Sequence, residues 1–212
     1  MTQELRRASP DLAPVGSSPV LAILAILCAG ALPANAQRPG TPPGWNLPTL
    51  MNAMHQVRQS SARFVETRYL HLLNQAQRSS GQLIYVAPDR LQKVTTEPAA
   101  MRMTVIGDQL TIESQGQKPK EISLRDYSEI GALVESIRAT LAGDLPALSR
   151  HFTTTLNGDA SHWTLTLVPA EPRLRELVTA IRIEGEQTSI REIETTEADG
   201  DRTDTAITPD RK

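Results

Sequence analysis

The sequence predicts an α+β protein, mainly antiparallel β: one long sheet curled around its apolar face, with helices on the concave side. Three observations carry this. Short segments of alternating apolar and polar residues follow one another at roughly ten-residue spacing, the rhythm of a meander rather than of βαβ units. That alternation breaks once, where the period becomes that of an amphipathic helix. A sheet of about nine to eleven strands must curl or split, and each strand offers one apolar face to curl around.

Residues 1–36 are predicted to be a secretory signal peptide. Arg6 and Arg7 precede the apolar run "VLAILAILCAGAL" (Val20 to Leu32), and Ala34 and Ala36 in "PANA" occupy the small-residue positions of a cleavage site. The run is too short for a permanent anchor, which needs about 20 residues. Cys28 lies inside the run behind Leu27, where lipid attachment would require a small residue, so no lipidation is expected there. It is the only cysteine of the chain. The exported remainder therefore relies on burial and strand pairing rather than disulfides. The segment removes two basic residues (Arg6, Arg7) and two acidic ones (Glu4, Asp11), so the formal net charge stays at −2. A near-neutral chain without a basic stripe excludes an electrostatic nucleic-acid binder.

Residues 37–48, "QRPGTPPGWNLP", read as a flexible lead-in to a single domain over 49–212. From Thr49 to about Ser61, Leu50, Met54 and Val57 have helical spacing. "ARFVETRYLHLL" (Ala62 to Leu73) reads as a strand with Phe64 on a face with Ala62 and Glu66, and "NQAQRSSG" as a loop. "QLIYV" and "RLQKVTT" follow as strands broken at Pro88. In "MRMTVIG", Met101, Met103 and Val105 alternate with Arg102 and Thr104; a Gly-Asp turn then leads into "QLTIES", with Leu110 and Ile112 inward. Over Asp126 to Asp144 the apolar residues Ile130, Leu133, Val134, Ile137 and Leu141 form a helical stripe. Gly143 ends it, and Asp144 caps a short helix "LPALSRHF" with Pro146 in its first turn. "HWTLTLVP", with Trp163, Leu165 and Leu167 on one side, returns the chain to strand. "EPRLRELV" adds a helical turn. "AIRIEG", "SIREIETTE" and "RTDTAIT" complete the sheet, the last two joined by a hairpin turn "ADGD" (Ala198 to Asp201). The helices at 49–61 and 126–151 bury their stripes on the concave side.

Residue types that carry catalysis are sparse. The four histidines, His55, His71, His151 and His162, include no pair with metal-site spacing on one helix. There is no G-x-S-x-G elbow, and no cysteine nucleophile remains after export. "DGDRTD" (Asp199 to Asp204) looks like a calcium loop but lacks the glutamate at its far end, so a turn is expected there. Glu192 and Glu194 share the outer face of a strand. No catalytic residue, metal or cofactor is expected. The apolar strand faces remain: a packed core is their ordinary meaning, while Met51, Met54, Met101 and Met103 suit a space with variable apolar contents.

Four segments, in order, resemble the LolA-like family of periplasmic outer-membrane lipoprotein carriers. They are the first helix running into "SARFVET", "GQLIYVAPDRLQKVTTEP", "VIGDQLTI", and the closing hairpin "IREIETTEADGDRTDTAI". The likeness spans Leu50 to Thr208 and is closest to a divergent branch. It implies a half-open β-barrel with an α-helical lid over an apolar cavity, and a non-enzymatic, monomeric periplasmic carrier. Such a carrier takes an acylated cargo (a lipoprotein, or a glycolipid or fatty-acyl lipid) from an inner-membrane exporter and hands it to an outer-membrane acceptor. On this reading the cavity is lined by Leu83, Tyr85, Met101, Met103, Val105, Leu110, Ile112, Trp163, Leu165, Leu167, Ile181 and Ile183. The lid is formed by Ile130, Leu133, Val134, Ile137 and Leu141. Two departures are visible. Ala87 stands where the family carries an arginine before the proline that contacts the lid, with Arg90 two residues beyond Pro88. The chain also stops at Lys212 without the family's extra C-terminal segment, so the cargo need not be a lipoprotein. The rival expectation is a periplasmic interaction or assembly module whose interior is simply packed.

Overall fold

A computed structural model describes residues 44–71 and 76–210. The predicted signal peptide and the lead-in as far as residue 43 lie outside the described residues. Eleven strands form one sheet: β1 Gln59–Tyr69, β2 Ala76–Val86, β3 Arg90–Glu97, β4 Met101–Ile106, β5 Gln109–Ser114, β6 Lys120–Ser123, β7 Phe152–Asp159, β8 His162–Pro169, β9 Val178–Glu186, β10 Ser189–Glu197 and β11 Arg202–Pro209. The spatial order is β6-β5-β4-β3-β2-β1-β11-β10-β9-β8-β7, and every pairing is antiparallel. The sheet is open. Its first and last strands pair at the centre, and its two edges, β6 and β7, are consecutive in the chain. The segment between them is a 3₁₀ turn (Leu124–Asp126) and two helices, α2 Ser128–Ala142 and α3 Leu145–His151. Helix α1 (Leu47–His55) precedes β1, and a single helical turn, α4 (Pro172–Arg175), links β8 to β9.

Local chemistry explains the boundaries. Asn46 accepts from Thr49 N through its side chain, and Pro48 sits in the first turn of α1, so the helix starts two residues before Thr49. The expected extension to Ser61 is corrected. The helix ends at His55, because Gln59, Ser60 and Ser61 already pair with Val86, Tyr85 and Ile84. Trp45, expected in the flexible lead-in, packs against the core instead. Asp144 caps α3 as expected, accepting from Ala147 N at 3.0 Å. Gly143, with φ 66°, ends α2 in the left-handed conformation that glycine adopts without a Cβ penalty.

Three strand assignments differ from the sequence expectation. Residues 76–81, expected in a loop, are the first half of β2 and pair with β1. β6 and β7 were not expected as strands. Both are edges, where only one neighbour and little burial impose a pattern: of β7, only Phe152 is buried.

The core lies on one face of the sheet. Strand burial alternates, as in β4, where Met103 and Val105 are buried while Arg102 and Ile106 are exposed. Side chains from α1, α2, α3 and the inward face form one apolar cluster, each fully buried Leu, Ile, Phe or Met contributing about 1.5–3 kcal/mol. Gly185 makes room for the largest of them: a Cβ there would lie 2.2 Å from Cζ2 of Trp163. The indole donates to the Gln187 carbonyl at 2.9 Å.

Candidate functional site: the concave face and its helical cover

Ten of the twelve residues predicted to line the concave face are at most 2% exposed: Leu83, Tyr85, Met103, Val105, Leu110, Trp163, Leu165, Leu167, Ile181 and Ile183. Met101 and Ile112 are partly buried and pack against the same cluster. From the other side come Leu133, Val134, Ile137 and Leu141 of α2, at most 3% exposed, with Ile130 partly buried at the helix start. Strand residues and helix stripe are thus in one apolar cluster, with α2 lowered onto the sheet. Sequence reasoning missed Leu91, Ile190, Ile193 and Ile207, which share the same face.

The face is not uniformly apolar. Reading across the sheet by register, Leu165, Ile183 and Ile193 are followed by Thr205, Glu66 and Ser79. In the next strand, Lys93 stands between Leu83 and Met103. Lys93 is 1% exposed; its Nζ donates to Glu66 Oε2 at 2.7 Å and lies 4.8 Å from the centroid of the Phe64 ring. Burial holds its pKa below the usual lysine range, with the Glu66 carboxylate opposing that shift. The signal was available in the sequence: Lys93 has the parity of Leu91, hence of the buried face.

A second buried ionic group ties β1 to the β10–β11 hairpin. Arg68 donates through Nη2 to Glu197 Oε2 (3.3 Å) and Asp201 Oδ2 (3.1 Å), and Asp201 Oδ1 accepts from the His71 backbone at 2.8 Å. The Glu197 carboxyl is pushed up to about 7, chiefly by burial and also by Asp199 and Asp201, with Arg68 opposing. Elsewhere on the face, the hydroxyls of Tyr85 and Ser60, opposite each other on β2 and β1, have no hydrogen-bond partner among the described residues. Burial raises the Tyr85 pKa.

Two contacts fasten the helical cover, both in the last two turns of α2. Arg138 of α2 donates to the carbonyl of Gly107, in the turn between β4 and β5, at 3.0 Å, and is also paired with Glu135. At the C-terminal end His55 Nδ1 donates to the carbonyl of Ala142 at 2.9 Å, joining α1 to α2. Beside the first fastening lies a cleft of about 200 Å³ bounded by the Asp108–Arg125 ion pair, Leu124, Val134 and Arg138. Ala87 packs on the core, while Arg90 is exposed on the opposite parity to Leu91.

The histidines do not assemble. His151 donates to Glu171 Oε1 at 2.7 Å, and His162 is exposed. Glu192 lies on the outer face, as expected.

Against known proteins, the family model described as outer membrane lipoprotein carrier protein LolA-like matches residues 41–210. No curated protein matches the chain. Solved structures with a similar course include a LolA superfamily protein from Nitrosomonas europaea (9% identity, 77% of this chain and 92% of that one, TM-score 0.42). Others are a DUF1329 family protein from Desulfovibrio piger (8%, 76% and 88%, TM-score 0.41) and an outer membrane lipoprotein-sorting protein domain from Vibrio parahaemolyticus (12%, 77% and 89%, TM-score 0.41).

Proposed function

The chain belongs to the LolA-like family of outer-membrane lipoprotein carrier proteins, and from that premise we propose that it is a periplasmic, non-enzymatic carrier for an acylated molecule. The cargo's hydrocarbon chains enter between the concave face of the sheet and α2. They are shielded there during passage from a donor in the inner membrane to an acceptor in the outer membrane. The observation that supports this most is the single apolar cluster shared by the strand faces and the stripe Leu133, Val134, Ile137 and Leu141.

The energetics of exchange favour such a device. Releasing an acyl chain into water costs about 0.8 kcal/mol per CH₂, so a sixteen-carbon chain forfeits more than about 10 kcal/mol. Lifting α2 exposes four large aliphatic side chains, which costs on the order of 10 kcal/mol at about 1.5–3 kcal/mol each. An acyl chain laid against Leu83, Met103, Leu165 and Ile183 replaces the helix stripe nearly in kind. Closed and loaded states are then close in free energy. Non-directional contacts with Met, Leu and Ile also accept chains of different length.

Mass spectrometry of lipid extracted from the purified protein, combined with uptake of a fluorescent fatty acid, tests the reading. Recovered acyl lipid and saturable uptake are expected. A lipid-free protein that takes up no fatty acid would leave the packed interaction module, whose support is the low exposure of the same residues.

A further inference from the structure

We propose that the turn between β10 and β11 binds a calcium-type divalent cation through the carboxylates of Glu197, Asp199 and Asp201. This site is independent of the apolar interior. The three carboxylates each have an oxygen within 4.8 Å of the other two, about twice a calcium–oxygen bond, so one ion can touch all three. They are brought together by the hairpin: Glu197 N donates to the Asp201 carbonyl at 2.8 Å, and Gly200 takes the left-handed conformation, φ 91°, at the corner.

A separate observation points to a missing partner. Glu197 is 5% exposed, and its Oε1 is buried without any hydrogen-bond donor among the described residues. A buried carboxylate oxygen left unpaired is costly, so such atoms are ordinarily satisfied. The neighbouring groups leave it open. Arg68 Nη2 is directed at Glu197 Oε2 and Asp201 Oδ2, and the His71 amide at Asp201 Oδ1. Asp199 Oδ1 accepts from the Asp201 amide at 3.0 Å, which leaves the other Asp199 oxygen open. With all three acids ionised and one arginine beside them, the group carries a formal charge that one divalent cation would neutralise. Asp199 is exposed, which gives an ion access from solvent.

The sequence expectation of a plain turn at Asp199 to Asp204 rested on the absence of a glutamate at its far end. The structure supplies one at the near end, Glu197, by bringing it back across the hairpin. Oxygen donors alone select a hard cation over zinc or copper. With three acidic ligands on a surface turn, the dissociation constant should be on the order of 10⁻⁴–10⁻³ M, as in extracellular calcium modules.

The test is a calorimetric titration of the EDTA-treated protein with CaCl₂, paired with thermal unfolding in CaCl₂ and in NaCl of equal ionic strength. One ion per chain is expected, together with a midpoint higher in calcium than in matched NaCl. Asp199→Asn, whose side chain is exposed, and Glu197→Gln should each weaken binding by about tenfold or more with the circular dichroism unchanged. Glu192→Gln on the outer face should leave it as it is. No calcium-dependent heat and no shift beyond NaCl, or wild-type binding in both turn variants, overturns the proposal.

Discussion

Lys93 Nζ sits 2.7 Å from Glu66 Oε2 inside the same concave face that gathers Leu83 and Met103, with its side chain 1% exposed. The two residues lie on β3 and β1, so the pair spans β2. Ser79 and Thr205 also reach the Glu66 carboxylate, at 3.2 and 3.5 Å. Breaking a buried pair by removing one partner costs about 3–5 kcal/mol, whereas replacing both by uncharged groups is often neutral. Lys93→Met alone should therefore lower the unfolding free energy by about 3 kcal/mol, and the double variant Lys93→Met, Glu66→Gln should regain most of it. Urea unfolding of the three proteins measures this. Equal losses in the single and double variants would show that the pair is not coupled.

The parts of the fold legible in the sequence were those where one face is buried and apolar. β4 could be read because Met101, Met103 and Val105 keep a period of two, and α2 because its stripe keeps the helical period. What was missed lies at two kinds of place. β6 and β7 are edges, and outside Phe152 nothing in β7 is buried, so no alternation was imposed on "FTTTLNGD". The start of β2, "AQRSSG", is polar because the facing residues across the sheet are Glu66 and Arg68. There the inward face is itself polar, and the alternation that marks a strand disappears. The ionic pairs join residues as far apart as Arg68 and Asp201, a proximity that only the central pairing of β1 with β11 creates. The lining set was legible by parity. By the same parity Lys93, two residues after Leu91, belongs to that face; the strand register adds that its partner there is Glu66.

The cover over the apolar face has a fastening that can be loosened without touching the interior. Arg138 donates to the Gly107 carbonyl from a side chain 21% exposed, so the bond stabilises the closed arrangement by about 1 kcal/mol after allowance for solvent. Arg138→Ala should shift the balance between closed and open α2 by about fivefold, since 1.4 kcal/mol corresponds to tenfold. Stopped-flow uptake of a fluorescent fatty acid should be correspondingly faster, with the unfolding midpoint little changed. An unaltered uptake rate would mean that α2 does not gate the interior.

Gly143 brings α1 and α2 together more closely than any other residue would allow. A Cβ at this position would lie 2.0 Å from the Met51 carbonyl oxygen and 2.7 Å from the His55 nitrogen, both backbone atoms, and φ is 66°. Gly143→Ala must move one helix and strain the other's end. A loss of at least about 2 kcal/mol is expected, with a weakened His55 contact to Ala142. Gly116→Ala is the control: its φ is 74° but nothing lies within 4 Å, so backbone strain alone should cost about 1 kcal/mol. Equal effects in the two variants would remove the close-approach argument.

Leu165 separates a fillable interior from a solid one. It is wholly buried and sits between Leu156 and Ile183 at the apolar end of the face. In a solid core an aspartate there is among the most damaging changes, because an unpaired charge has no route to water. In a carrier, α2 lifts and water reaches the charge. Leu165→Asp should then retain a cooperative thermal transition while fatty-acid uptake falls by about tenfold or more, the equivalent of 1.4 kcal/mol. Loss of the folded state in this variant would instead favour the packed module.

Glu197 makes the stability of the metal-free protein depend on pH in an unusual direction for a carboxylate. Its folded pKa of about 7 exceeds the ordinary 4.5 because burial, Asp199 and Asp201 outweigh Arg68. Between those values the folded state binds a proton that the unfolded chain has released. The contribution is therefore intact below about pH 4.5 and is lost as pH rises towards 7. Of the groups around it, Arg68 donates to Glu197 Oε2 and Asp201 Oδ2, and the His71 contact to Asp201 is made by the backbone amide. Unfolding midpoints in EDTA should thus fall over this window in the wild type and fall less in Glu197→Gln, which mimics the protonated form. Parallel profiles for the two proteins would show that Glu197 is ionised in the folded state across the whole window.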